Sequence, residues 1–342
     1  MNPLTCCRLL LGIPLLLSAC SGAILRFPIV QAASPKQPLS LIGYIDEKGA
    51  IAIQPRFELG FPFTDGLALV SENGRWLFVD THGRVKLVPP LGRDEWIKPF
   101  SEGLARIRTG DGWGFLDQSG QWVIGPHFLD AEDFSEGLAA VRDGATGKWG
   151  YISTRGAFVI APQFDRAERF SGNRACVLPD ERQGRWGFID QIGNLVIAPI
   201  YKWPSRFSEG LAAVEVDGQV VFIDARGQTI LRPRCEWAGE FSEGLAPIRI
   251  GTKFGVIDKV GAIVIGAAFD RVYSFSEGLA RIEQEGKSGF MNRMGKIVIE
   301  PRFAGASDFK NGLARVDLGG GRWGYINLGG KLVWEEQQLR ND

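Results

Sequence analysis

The chain has 342 residues, of which 45% are hydrophobic and 45 are glycine, and its 39 Lys plus Arg are matched by 39 Asp plus Glu. That balance excludes a globally basic surface for nucleic acid and an acidic excess of the kind that keeps chains disordered. Such a glycine content beside ordinary apolar content suits many short strands joined by tight turns.

Residues 1–33 read as an export signal: Arg8 is followed by an apolar run from Leu9 to Ala19, too short to span a bilayer comfortably. Leu17-Ser18-Ala19-Cys20 resembles a bacterial lipobox, in which cleavage precedes the cysteine and the cysteine carries the lipid, so Cys20 is the candidate anchor. The alternative is ordinary cleavage near Ala32 or Ala33, because Ala23 to Val30 stays apolar around Arg26 and Val30 and Ala32 are small enough to flank such a cut. Residues 34–40 form a linker. Of the five cysteines, Cys6, Cys7 and Cys20 fall in the leader. Cys176 and Cys235 occupy different columns of the repeat described next and read as small buried apolar side chains without a built-in bridge.

From residue 41 to 334 the chain repeats itself. A phrase of the form Phe-Ser-Glu-Gly-Leu-Ala begins at Phe63, Phe100, Phe134, Phe170, Phe207, Phe241, Phe275 and Phe309, at steps of 34 to 37 residues. A period of that length means an array of supersecondary units that bury one another. Each unit is expected to hold three strands, exemplified by Leu104 to Arg108, Trp113 to Asp117 and Trp122 to Ile124, with an Asp-x-x-Gly reversal between the last two. The first copy starts at Ile42 without its opening strand and the last is already complete. The expectation is therefore an all-β, open, twisted array of about eight three-stranded antiparallel meanders, with a closed propeller-like ring as the alternative. Residues 335–342 form a tail.

The columns of the repeat have separate physical jobs. The Gly of Ser-Glu-Gly is replaced once, by Asn173, which marks a backbone site at positive φ. A strand position holding Leu69, Arg106, Ala140, Cys176, Ala213, Pro247, Arg281 and Arg315 must face outward or a permissive place. Trp76, Trp113, Trp149, Trp186 and Trp323 form a column relaxed elsewhere to Val220, Phe254 and Ser288; this favours a core ladder over a sugar-stacking platform. Burying one such indole contributes up to roughly 4–6 kcal/mol.

Trp186-Gly-Phe-Ile-Asp190, Val196-Ile197-Ala198-Pro199 and Phe207-Ser-Glu-Gly-Leu-Ala212 resemble the WG-repeat family of bacterial proteins over residues 41 to 334. The resemblance implies a β repeat, often exported or lipid-anchored, and brings no catalytic residues with it. Trp76-Leu77, Val220-Val221 and Pro89-Pro90 depart from the pattern.

Catalytic and metal motifs are sparse. His82 and His127 fall in different columns, neither a phosphate loop nor a cysteine pair at metal spacing occurs, and the Asp column reads as turn chemistry before calcium ligation. The glutamates Glu102, Glu136, Glu209, Glu243 and Glu277 read as solvated turn residues before a binding row. No metal or cofactor is expected. One column departs from the consensus: four residues before the Phe of each phrase, positions held by Leu59, Asp130, Arg166, Arg271 and Gly305 alternate with Trp96, Trp203 and Trp237. A position that accepts Asp, Arg and Gly is exposed, so these tryptophans are candidate binding residues. The expected function is a non-catalytic cell-envelope binding or scaffold protein, exported or lipid-anchored, facing a protein or polysaccharide partner. A structural spacer is the alternative, and a carboxylate-dependent hydrolase a more distant one.

Overall fold

The computed structural model describes residues 26–31, 41–92 and 95–336. Every regular element among them is a β-strand, gathered into nine antiparallel sheets that follow one another along the chain. The opening sheet is built from β1 (Phe27–Gln31), β2 (Leu41–Ile45) and β3 (Ile51–Phe57). Sheets two to nine cover residues 59–87, 96–128, 130–164, 166–201, 211–231, 237–269, 271–303 and 305–335. Seven sheets have four strands; the first and the sixth have three.

The nine sheets are the blades of a closed ring, which corrects the expected open array. Nine buried clusters join each blade to the next, and the last of them joins the two ends of the chain: Phe27, Ile29 and Ile45 of blade one pack with Leu313 and Tyr325 of blade nine. There the Tyr325 hydroxyl donates to the Pro28 carbonyl at 2.7 Å, and the Phe27 and Tyr325 rings lie 5.8 Å apart. The strand that completes blade one, β1, comes from the segment that the sequence assigns to the leader. This is why the first copy looked incomplete.

A fourth strand per blade is the second correction. In blade four the strands are Asp130–Ala131, Leu138–Arg142, Trp149–Ser153 and Phe158–Phe164. The first has only two residues, too short to show an alternation, so it reads from sequence as a loop. The irregular column opens that short strand, as Leu59, Asp130, Arg166, Trp237 and Gly305 do in their blades. Pairing of Leu138 with Ser153 and of Arg142 with Trp149 sets the two rims of the ring. One rim carries the turns between first and second and between third and fourth strands; the other carries the hairpins between second and third strands and the crossovers to the next blade.

The Gly of Trp-Gly has a steric reason. A Cβ on Gly150 would lie 2.6 Å from the Ile160 carbonyl oxygen and 2.8 Å from the Pro162 nitrogen, because the fourth strand bulges directly over it. Where Leu77 and Val221 replace that glycine, the fourth strand shrinks to Val85–Leu87 and Thr229–Leu231 in place of the usual seven residues. The departures from the repeat are thus one coupled event, a lost glycine and a shortened outer strand.

The Ser-Glu-Gly-Leu turns hold neighbouring blades together. Glu136 and Gly137 sit at φ of 55° and 81°, the paired positive values of a type I′ turn. Gly172 and Asn173 satisfy the same demand in reversed order. The glutamates are neither a binding row nor merely solvated: Glu102 accepts from the Glu136 and Gly137 amides at 2.7 and 2.9 Å, and Glu136, Glu209, Glu243 and Glu277 each reach an amide in the next blade's turn. Beside them, the serine hydroxyls donate to the Phe carbonyl of the next blade, as Ser135 does to Phe170 at 2.8 Å.

In the Asp-x-x-Gly turns the carboxylate caps its own backbone. Asp117 Oδ1 accepts from the Ser119 hydroxyl and from the Ser119 and Gln121 amides, and the Ser119 hydroxyl is the largest cause holding this carboxyl below its ordinary value. Asp270 is likewise lowered, first by the Lys253 ammonium and then by the Glu285 amide. A depressed folded value stabilises the ring above the ordinary carboxylate range near 4, and that stabilisation is lost as pH falls through the folded value. The melting temperature is accordingly expected to drop between pH 5 and pH 3. Asp117→Asn should reduce that drop while changing the neutral-pH melting temperature little, because Asn292 and Asn327 already make the same amide contacts natively. A thermal melt series across this pH range checks both expectations.

Candidate functional site

The strand position held by Cys176, Ala213 and Pro247 faces the following blade, and Leu69, Ala140, Cys176 and Ala213 join the clusters between blades. This corrects the outward option left open from sequence: Leu69, Ala140, Cys176, Ala213 and Pro247 are buried. Where the position holds arginine, the side chain fills the space. Arg281 lies over the Tyr273 ring at 3.3 Å and pairs with Asp308 at 3.2 Å; Arg106 packs over Trp113 at 4.9 Å and approaches Asp133 at 3.1 Å. From blade five to blade seven the residues are small, and Cys176, Ala213 and Pro247 line open space.

Blade six widens the opening. Its sheet lacks the short first strand, so the edge of Leu211–Val216 has no partner at Glu215. In blade seven the equivalent contact is made, with the Glu236 amide donating to Arg249 at 3.0 Å. Blade six keeps only the second anchor, the Ser205 amide donating to Ala213 at 2.9 Å, and Pro204 stands between that anchor and Trp203. Trp203 consequently swings out and is 82% exposed.

The result is a groove of about 860 Å³ across blades six to eight, lined by Trp203, Trp237, Phe254 and Tyr273 with Pro247 and Ala213 at its base. A smaller pocket of about 350 Å³ adjoins it toward blade five, where Cys176 and Trp186 line the far side and Trp203 is shared. Trp237 is 44% exposed, and its ring meets Phe254 edge to face at 5.8 Å. Charged groups rim the aromatic strip, among them Glu215, Glu240, Arg249 and Arg271. Trp203 and Trp237 are therefore brought to one groove. Trp96 is 65% exposed at the same rim but belongs to blade three, away from it.

The other residues singled out from sequence fall into place. Trp76, Trp113, Trp149 and Trp186 are half-buried and pack against the clusters between blades, as a core ladder requires. His82 and His127 are exposed in different blades. Cys176 and Cys235 are unbridged, and burial raises both thiols, Cys176 strongly, so neither is primed as a thiolate nucleophile. Cys20 lies outside the described residues. What sequence reasoning missed was the significance of a run of small residues, from Ala140 to Pro247 in consecutive repeats, between positions that hold arginine.

The WG containing repeat family model matches residues 42–76, 95–113, 113–146, 149–178, 186–219, 222–253, 254–287 and 289–321. Most of these matches straddle two blades: residues 149–178 supply the last two strands of blade four and the first two of blade five. The repeated unit is therefore out of phase with the blade, and each copy ties two blades together. No curated protein matches the chain in sequence. Among solved structures, a eukaryotic initiation factor is similar over 92% of this chain and 96% of its own, at 12% identity and a TM-score of 0.63, a likeness of fold alone. BamB from Moraxella catarrhalis (80% of this chain, 94% of its own, 14% identity, TM-score 0.44) and apo AztD from Citrobacter koseri (92%, 95%, 12%, 0.43) are more distant. On the extent of the family match, the chain belongs to the WG containing repeat family.

Proposed function

We propose that this ring is a non-catalytic binding or scaffold protein of the cell envelope, exported and holding a protein or polysaccharide partner in the groove of blades six to eight. The observation that carries the reading is Trp203, 82% exposed beside Trp237 in a groove that opens where one blade lacks a strand. An indole left in water gives up a large apolar burial, and exposed tryptophans in a concave site are common anchors of interfaces. The amide contacts that occupy Glu102, Glu136, Glu209, Glu243 and Glu277 argue against a hydrolase built on the repeat carboxylates.

The test measures binding of the purified ring to immobilised envelope polysaccharide and to a set of purified envelope proteins. Trp203→Ala with Trp237→Ala is expected to weaken the interaction at least tenfold with little change in melting temperature. Ala213→Arg, which places in blade six the residue that blades three, eight and nine carry, should block the groove with the same loss. Unchanged binding in both variants would turn the reading to a structural spacer; a large drop in melting temperature would make the tryptophans packing residues.

A further inference from the structure

Within the described residues, blade six is alone among blades two to nine in lacking its short first strand. In blades two, four, five, seven, eight and nine the amide ahead of the irregular column donates to a carbonyl of the second strand at 2.8 to 3.0 Å, as Asp270 does to Glu283. The Lys202 amide, its counterpart in blade six, makes no such bond. The edge left over is a hydrogen-bonding one. Asp217 and Gly218, at φ of 50° and 75°, close a two-residue hairpin, so Val216 and Gln219 are its hydrogen-bonded pair. Glu215, one residue along, therefore turns its N–H and C=O away from the third strand. They face the vacated place, and Glu215 lines the groove beside Trp203 and Trp237.

Resting on the reading of that groove as a binding site, we propose that it takes an extended segment of a partner protein, which adds to blade six as the missing first strand, antiparallel to Leu211–Val216, with a basic side chain opposite Glu215. A sheet edge with unpaired main-chain groups is a template for another chain. A polysaccharide offers hydroxyls but no alternating N–H and C=O groups at strand spacing. Of the two partner classes, the protein is the one that matches the edge.

The charge follows from the ring's own pairings. In blade eight the residue equivalent to Glu215 is again a glutamate, Glu283, and the column residue opposite it is Arg271. Blade four carries the reverse pair, Asp130 opposite Arg142. Opposite charges across a ladder are stabilising, whereas like charges are not. In blade six the carboxylates of Glu215 and Glu240 are exposed in the groove, and neither makes an ion pair among the described residues. A Lys or Arg of the partner supplies there what Arg271 supplies in blade eight. Side chains two residues to either side of it lie on the same face of the added strand, in the groove where Trp203 and Trp237 receive apolar groups.

The test pans a displayed library of random octapeptides over the full-length protein and remakes the enriched sequence as a synthetic peptide. That sequence is expected to carry Arg or Lys among β-branched and aromatic residues. N-methylation of its backbone amides one at a time should weaken binding about tenfold at the residue opposite Glu215 and little at the two neighbours, whose amides face away. Glu215→Arg, a change at an exposed site that should leave the melting temperature where it is, should weaken the basic peptide about tenfold and favour its twin with Glu in place of the basic residue. Equal loss at every amide, no loss at any, or an unchanged preference in Glu215→Arg overturns the inference. So does a library that yields no peptide: if envelope polysaccharide then binds and is lost when Trp203 and Trp237 are changed to Ala, the groove reading stands with a sugar in it, and if nothing binds, both fall. A dimer in sedimentation that Glu215→Arg disperses would make the occupant a second copy of this chain and overturns the inference as well.

Discussion

Gly114→Ala should destabilise the ring by about 1–3 kcal/mol, whereas Gly125→Ala, in the adjoining strand of the same blade, should change stability by about 0.5 kcal/mol or less. The two glycines differ in one respect. A Cβ on Gly114 would lie 2.6 Å from the Ile124 carbonyl oxygen and 2.7 Å from the Pro126 nitrogen, both backbone atoms that cannot rotate away; around Gly125 a Cβ meets nothing within 4 Å. Neither has positive φ, so conformational strain does not separate them. The clash follows from the bulge: Phe115 is opposite Ile124 while Trp113 is opposite Phe128, so four residues of the outer strand pass over two of its neighbour. A Cβ on Gly187, Gly255 or Gly289 would lie 2.5 to 2.6 Å from the equivalent carbonyl oxygen, so the same cost recurs in other blades. Urea unfolding of the two variants measures the difference. Equal midpoints would mean that the outer strand yields freely, and that the short outer strands beside Leu77 and Val221 have another cause.

The same pair of glycines shows what the chain made legible. The Trp-Gly dipeptide recurs in most copies of the repeat without explaining its glycine, because the reason lies in the backbone of another strand. Asn173 was informative for the opposite reason: positive φ is a local property, and substitution of Gly by Asn reports it directly. Closure was out of reach for a related cause. It depends on Phe27–Gln31, whose apolar residues next to an export-like segment read as leader and whose partner, Tyr325, is some 300 residues away in sequence. For the groove, the exposed tryptophans of the irregular column were visible and their neighbours were not. Trp203 and Trp237 share a site because blade six gives up a strand, and a missing two-residue strand leaves no trace in a hydrophobic pattern. The small residues Cys176, Ala213 and Pro247 form a visible column in the sequence, but only its direction toward the following blade turns smallness into volume.

Phe134→Ala should cost about 3–5 kcal/mol, and Trp113→Ala roughly half as much. The conspicuous residue of each repeat is its tryptophan, and on transfer area alone an indole outweighs a phenyl ring. Burial reverses the order. Phe134 is 1% exposed in the cluster between blades three and four, edge to face with Phe115 at a centroid distance of 4.9 Å, and its carbonyl accepts the Ser101 hydroxyl from the preceding blade. Trimming it to alanine leaves a cavity walled by two sheets whose separation is set by the other blades of a closed ring, so the site has little freedom to collapse. Trp113 packs against the edge of the same cluster with one face under the Arg106 guanidinium, and water already reaches the rest of it. Its loss removes part of an apolar contact and one cation–π pair at 4.9 Å, and the exposed gap can fill with solvent at small cost. Denaturant midpoints for the two variants at equal m-value give the ranking. Should Trp113→Ala prove the more damaging, the blades would be held together at their rims by the tryptophan column, and the Phe cluster between the sheets would be the lesser partner.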